Sequence, residues 1–405
     1  MHRILRISGI EQAERELASI GVSSQGIKKM ALKAVPLMIK LTGVRVGAAN
    51  ILKQEMLSVG ADAAVARGVV EGRELISDVI LLGSADKISK LVQKLDHQQI
   101  FGLGGIRDEL KRFLKQVCHE REIIFECGTL KINRNQILLM GILNVTPDSF
   151  SDGNEFNSVE AAIKHGIQMI DSGADIIDIG GESTRPGADR VSSEIELERV
   201  IPVIRGLRKE TELPISIDTC KASVAEAALE AGVDLVNDVS ALRYDPRMVE
   251  LLRQKSDVPV ILMHMLGEPG TMQDQPFYHD AVVEILEFFR ERIEFCRVNG
   301  IARERLIIDP GIGFGKRHYD NLMILNKIGE FTSLGLPVLL GASRKSFLGR
   351  IYKSDPKERL SGSLAVAGLA VSQQVSILRV HNVLEHKRYL QTESAIRNFH
   401  EFSHT

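Results

Sequence analysis

From residue 136 onward one rhythm repeats: a short apolar run, then an amphipathic stretch with helical spacing, then another apolar run. The apolar runs are ILLMGIL (137–143), DIIDIG (175–180), PISID (214–218), VDLVND (233–238), VPVILMH (258–264), RLIID (305–309), PVLLG (337–341) and SILRVH (376–381). Helix-like segments stand at 158–173, 192–209, 221–232 and 279–300. A strand that is apolar on both faces must be covered on both faces, and helix-linked strands of this kind pair in parallel. Eight such units over about 250 residues predict a (β/α)8 TIM barrel. A doubly wound open sheet would share the rhythm, but no G-x-G-x-x-G follows the first run. Just ahead, IIFECGTLKINRNQ (123–136) reads as a hairpin with Cys127-Gly128 in its turn, expected to plug the N-terminal end of the barrel.

The first 120 residues read differently. HRILRIS, PLMIKLTG and DVILLGS have strand character; EQAERELASIG, NILKQEMLSVG and DKISKLVQKLD have helical character. This predicts a small α+β domain over 1–120, ahead of a barrel domain with its hairpin over 121–405. The helical stretch 106–120 leads from one to the other.

Charge is nearly balanced, with 51 basic and 53 acidic residues. No long-range field of the kind that gathers nucleic acid or a membrane surface follows from that, so any anion must be held by local groups. The N-terminus is too charged for a signal peptide and no run of about 18 apolar residues occurs, which predicts a cytoplasmic protein with no membrane partner. Cys118, Cys127, Cys220 and Cys296 form no C-x-x-C pair and read as reduced thiols.

Barrels of this class place their active sites at the C-terminal strand ends, and here those ends are polar. Strand 1 stops at Asn144 and enters NVTPDSFSDG; strand 2 enters GGESTRPGA (180–188). Strand 3 ends at Asp218, strand 4 at Asn237-Asp238, strand 5 at MHM (263–265), and strand 6 at Asp309 before PGIGFGK (310–316). Strand 7 continues into GASRKSFLG (341–349), and strand 8 carries Arg379 and His381. Asp218, Asn237 and Asp309 suit the donor edge of a flat heterocycle. Arg379, His381, Arg185 and Thr184 suit a phosphate or diphosphate, and Asn144 with the acids of the first loop offers hard oxygens to Mg2+ beside it. No Ser-His-Asp order, G-x-S-x-G elbow or H-E-x-x-H helix occurs. The pattern points to displacement of a phosphate leaving group without a covalent enzyme nucleophile.

Each residue has a plainer reading when taken alone. Asp218 and Asp309 could cap the next helix, Lys345 could be a surface lysine, and His264 could be a packed strand-end side chain. GIGFGK is not a phosphate loop of the Walker kind, because the spacing fails and Arg317 stands where Ser or Thr belongs. Joint occurrence on consecutive strands is what favours one shared site.

GILNVTPDSFSDG, DIGGESTRPGA, SIDTCKASVAEAALEAG, LVNDVSA, IIDPGIGFGK, GASRKSFLG, ERLSGSLA and ILRVHNV, in this order, resemble dihydropteroate synthase over residues 136–390. The resemblance implies condensation of 6-hydroxymethyl-7,8-dihydropterin diphosphate with p-aminobenzoate, giving 7,8-dihydropteroate and pyrophosphate in folate synthesis. It implies that Asp309 holds the 2-amino and N3 edge of the pterin, and that Asn237 and Asp218 hold its N1/N8 side. Lys345 would reach O4 and N5, and Arg379 would lie over the ring. Arg379, His381, Asn144 and Thr184 would surround the diphosphate, with Asn144 as the Mg2+ ligand. Phe150, Arg185, Pro186, Phe314 and Ser346 would form the p-aminobenzoate pocket, which sulfonamides also occupy in this family. Asp218, Lys345, Arg379 and His381 are thereby the expected catalytic set, and a homodimer is the expected assembly.

Cys220 stands where many members have Ser, and Ile312 where Phe is common; neither removes a polar group assigned here. A related pterin-barrel methyltransferase would lack NVTPDSF and SRKS. A non-catalytic pterin binder would have lost Asp218, Lys345 or Arg379, and all three are present.

Overall fold

The computed structural model describes all residues except 1, 6, 8, 72–74, 99, 119–122, 134–135, 147–154, 184–189, 269 and 403–405, and the side chains at 70, 123, 155–158 and 401–402. The chain divides into two units, Met1–Arg121 and Glu122–Thr405.

In the first unit, β1 (Pro36–Arg45), β2 (Asp62–Val65) and β3 (Ile76–Ser84) form an antiparallel sheet with β3 in the middle. The helices are α1 (Ile10–Ser19), α2 (Ser24–Ala34), α3 (Val46–Ser58), α4 (Arg67–Val70), α5 (Ala85–Leu95) and α6 (Leu103–Val117). Alternate strand residues Ile39, Leu41, Ala63, Val79 and Leu81 share one core with Ala48, Leu52 and Met56 of α3 and Ile88, Leu91 and Leu95 of α5. Strand period two thus meets helix period three-to-four across one layer. HRILRIS, expected as a strand, forms none among the described residues, and Ile4 is 94% exposed. The unexpected strand DAAV is too short to show a period, yet it pairs along β3.

The second unit opens with a hairpin of β4 (Ile123–Cys127) and β5 (Leu130–Asn133). Eight parallel strands follow: β6 (Leu138–Asn144), β7 (Ile176–Gly180), β8 (Ile215–Asp218), β9 (Leu235–Asp238), β10 (Val260–Met263), β11 (Leu306–Asp309), β12 (Leu339–Leu340) and β13 (Ile377–Val380). They run in the order β11-β10-β9-β8-β7-β6-β13-β12, and Ile308 closes the ring by donating its N–H to Pro337 O at 3.0 Å. The connecting helices are α7 (Glu155–Asp171), α8 (Ser193–Arg208), α9 (Ala222–Glu230), α10 (Arg247–Gln254), α11 (Ala281–Val298), α12 (His318–Asn326), α13 (Ser346–Ile351), α14 (Leu360–Ser372) and α15 (Val383–Arg397). The (β/α)8 barrel expected from the sequence is the fold.

Two cores result. Outward strand residues pack under the helices, where Val203, Val236, Phe289 and Phe331 lie buried. Inward residues Leu138, Met140, Ile176, Leu235, Ile261, Ile307, Leu339 and Ile377 form a second cluster with Phe125, Cys127, Leu130 and Ile132 of the hairpin. The hairpin therefore seals the N-terminal end of the barrel. Burying Phe125, Leu130 and Ile132 there stabilises by about 1.5–3 kcal/mol each.

Candidate active site

Strand alternation carries the barrel interior upward. Two residues beyond Ile176, Leu235, Ile261, Ile307, Leu339 and Ile377 of the apolar layer stand Asp178, Asn237, Met263, Asp309, Gly341 and Arg379. Ile215 and Ile217 belong to the helix-side core, so Ser216 and Asp218 between and after them face inward. A polar deck tops the apolar interior at the C-terminal strand ends.

Arg379 is the hub of this deck. Its Nε donates to Asp178 Oδ2 at 2.6 Å and its Nη2 to Asp218 Oδ2 at 2.7 Å. Asn237 Nδ2 donates to the same Asp178 Oδ2 at 3.2 Å. Asp178 Oδ1 and Asp218 Oδ1 are buried without a hydrogen-bond partner. Burial pushes the Asp218 carboxyl up to about 7, with Arg379 pulling it down and Asp178 pushing it further up. Burial also works against the Arg379 charge, but Asp178 and Asp218 outweigh it and hold that guanidinium above its ordinary pKa. Asp218 does not cap α9: the cap position is Lys221, and the Ala222 N–H donates to Asp245 Oδ2 at 3.0 Å.

Asp309 accepts from the Gly311 N–H through Oδ1 at 2.8 Å. Its Oδ2 lies 3.7 Å from the point where a Cβ on Gly341 would stand, and Arg379 Cβ and Cδ lie 3.9 Å from that point. Asp309 and Arg379 therefore border the same side-chain-free space. Burial raises the Asp309 carboxyl, chiefly opposed by the charge of Lys345. Lys345 is no surface lysine. Its Nζ donates to Ile312 O and stands 4.4 Å from the Phe314 ring centroid. Burial pushes that ammonium down to about 8, against the pull of Asp309.

His381 is half-buried, its N–H and Nδ1 lying 3.3 and 3.2 Å from Ser343 Oγ. Phe314 is half-buried against Val239, Met263, Met265 and Met272, while Ser346 is exposed at the start of α13. The loop carrying Phe314 is fixed by Lys316, a buried lysine that donates to Phe314 O at 3.0 Å and His264 O at 3.2 Å and meets His264 Nδ1 at 2.9 Å. His264 itself packs against Phe288, as a strand-end side chain would. Phe150, Thr184, Arg185 and Pro186 lie outside the described residues.

Asn144 ends β6, half-buried, beside Gly180 of β7. Its Oδ1 lies 3.8 Å from the point a Gly180 Cβ would occupy, so a hard oxygen faces room that no side chain fills. That fits a magnesium ion that keeps most of its waters and binds substrate phosphate. Among the described residues no group of three or more His, Cys, Asp or Glu makes a self-contained metal cage.

Two features escaped the sequence reading. Asp178 is wholly buried and bonded to both Arg379 and Asn237; the signal was an acid two residues past Ile176 in an otherwise apolar run. Lys221, also buried, pairs with both Glu182 and Glu196. These three residues line an open cleft of ≈ 480 Å³ beside Asp218, together with Cys220, Tyr244 and Met265. The Cys220 thiol is held well above its ordinary pKa by burial and by the Asp238 charge, so it is a poor nucleophile.

A family model described as pterin binding enzyme matches residues 140–381. A dihydropteroate synthase from Synechocystis is 49% identical over 246 residues, which cover 60% of this chain and 85% of that protein. The structure of Xanthomonas albilineans dihydropteroate synthase with 4-aminobenzoic acid superposes with a TM-score of 0.64 at 44% identity, covering 68% of this chain and 98% of the other. A probable bifunctional folylpolyglutamate synthase/dihydropteroate synthase of Haloferax volcanii is 37% identical over 363 residues, 87% of this chain and 42% of that protein. That match is longer than the second unit, so it reaches into the first. A polar deck on a barrel, matched across its length by synthases of one kind, leads to one conclusion: the chain belongs to the dihydropteroate synthase family of pterin-binding enzymes.

Proposed function

We propose that the protein joins 6-hydroxymethyl-7,8-dihydropterin diphosphate to p-aminobenzoate, yielding 7,8-dihydropteroate and pyrophosphate for folate synthesis. The observation that carries this reading is the convergence of Asp178, Asp218, Asn237, Asp309 and Arg379 on one deck, with Lys345 acting on Asp309 from its rim. Such a deck suits a flat ring rich in N–H donors with an anionic tail.

In the reaction the bond from the pterin methylene carbon to the diphosphate oxygen breaks, and its electron pair leaves with pyrophosphate. The nitrogen lone pair of p-aminobenzoate forms the new C–N bond, and the ammonium proton is lost to solvent. Asp309 accepts from the amino and N3 donors, and Asn237 and Asp218 hold the opposite ring edge. Asp218 also offsets positive charge on the pterin as the leaving group departs. Arg379 and His381 hold the diphosphate, and Lys345 reaches the carbonyl side of the ring. Asn144 would hold the magnesium ion, which when bound neutralises charge gathering on the departing pyrophosphate. Phe314 walls the arylamine, which is nucleophilic while neutral and needs proximity more than a base. A homodimer and a cytoplasmic setting belong to the same proposal; sedimentation of the purified protein tests the first.

Incubation with the pterin diphosphate, p-aminobenzoate and Mg2+ should release dihydropteroate and pyrophosphate in equal amounts. Pterin binding without product would reduce the protein to a binder.

A further inference from the structure

Asp178 touches two residues assigned to the pterin, yet the proposed reaction gives it no task. It lies fully buried on β7 among Ile176, Ile177 and Ile179. Stability is a poor reason for a charge there. A buried ion pair gains little over a well-packed apolar residue of similar size, and here two carboxylates share one guanidinium.

What the arrangement does provide is direction. Arg379 Nε is fixed from β7 by Asp178, and Nη2 from β8 by Asp218, so the plane of the guanidinium is set by two strands at once. The same Asp178 oxygen takes the Nδ2–H of Asn237. An amide whose NH2 is engaged by a carboxylate offers its oxygen to the remaining partner. We propose that Asp178 is a positioning residue: it sets the plane of Arg379 and turns Asn237 so that Oδ1, an acceptor, meets the N–H edge of the pterin. This rests on the synthase reading of the site.

The test uses the full chain and the variant Asp178→Ala, which removes the acceptor. An Asn there would keep one amide oxygen where Oδ2 now takes both N–H groups. The folded variant should lose about 100-fold in kcat, as for a misaligned substrate, and gain about 10-fold in KM for the pterin diphosphate. The KM for p-aminobenzoate should stay within about twofold, because the second substrate does not touch this deck. In an Asn237→Ala background, Asp178→Ala should cost much less than it does alone, since both remove one alignment. Asp178→Ser serves as the second variant if Asp178→Ala does not fold, with the same pattern expected. A purely structural Asp178 would instead lower the melting temperature and the active fraction, leave both KM values alone, and add independently to Asn237→Ala; that outcome overturns the proposal. If the parent protein makes no dihydropteroate, the synthase reading falls and this role falls with it. If the parent is active and the folded variant matches it, the role of Asp178 alone falls.

Discussion

Lys345 Nζ stands 4.4 Å from the ring centroid of Phe314, while the same ammonium is bonded to Ile312 O two residues before that ring. The lysine is thus tied to the loop it faces, with its cation over the ring. Contacts of this kind contribute about 0.5–2 kcal/mol when desolvated. Phe314→Leu should therefore raise KM for p-aminobenzoate by roughly 10-fold, from lost wall and lost cation contact together. The pterin diphosphate KM should move far less. Steady-state titration of each substrate decides it, and an unchanged p-aminobenzoate KM would remove Phe314 from that pocket.

The deck also predicts a pH profile. The proposed reaction uses Asp218 as a carboxylate, and its raised pKa of about 7 means that form is lost as pH falls through neutrality. It uses Lys345 as an ammonium, and its lowered pKa of about 8 means that form is lost as pH rises. The rate constant kcat/KM should be bell-shaped with its maximum between those limits, the limbs belonging to the coupled cluster rather than to single groups. Asp218→Asn should reduce kcat by about 100-fold, leave pterin binding measurable, and abolish the acid limb. An acid limb that survives in this variant would assign it to another group.

The barrel was legible because its strands are buried on both faces, so each reads as an apolar run bounded by polar residues. The candidate site was legible where a polar residue ends such a run: Asn144, Asp218, Asn237, Asp309. Asp178 was hidden because it sits inside a run, and only the inward direction of Ile176 reveals where it points. Lys221 was hidden for another reason. Its partners Glu182 and Glu196 come from the segment after β7 and from α8, and no local spacing predicts that meeting. Asp218 illustrates the converse, since its sequence neighbours suit a helix cap while its bond runs to Arg379, 161 residues away. In the first unit, HRILRIS has strand character but forms no strand among its described residues, and DAAV pairs along β3 without visible character.

Two glycine substitutions should act in opposite directions. Gly311 has φ +70°, and a Cβ there would come within 2.0 Å of His264 O. Backbone cannot yield cheaply, so Gly311→Ala should destabilise by about 2–4 kcal/mol. It should also weaken pterin binding, because the Gly311 N–H holds Asp309 Oδ1. Gly105 lies inside α6 with nothing within 4 Å of a Cβ, so Gly105→Ala should stabilise its unit by about 0.5–1 kcal/mol. Thermal unfolding of both variants beside the parent measures this; equal shifts of the same sign would contradict it.

The second unit should work without the first. Residues 125–383 supply both of its principal core clusters, and the first unit has its own core built on Leu52, Met56 and Leu91. The hairpin that seals the barrel begins after Glu122, and every residue assigned to the reaction lies beyond it. The Synechocystis relative matches over 85% of its own length while covering only 60% of this chain, so a synthase of that kind has little room for a counterpart of the first unit. A domain with its own core folds alone. The fragment 122–405 should therefore unfold cooperatively and bind the pterin diphosphate within about threefold of the full chain. Calorimetry of both proteins under identical magnesium and salt is the measurement. An insoluble fragment, or one more than about tenfold weaker, would show that the first 121 residues support the barrel rather than accompany it.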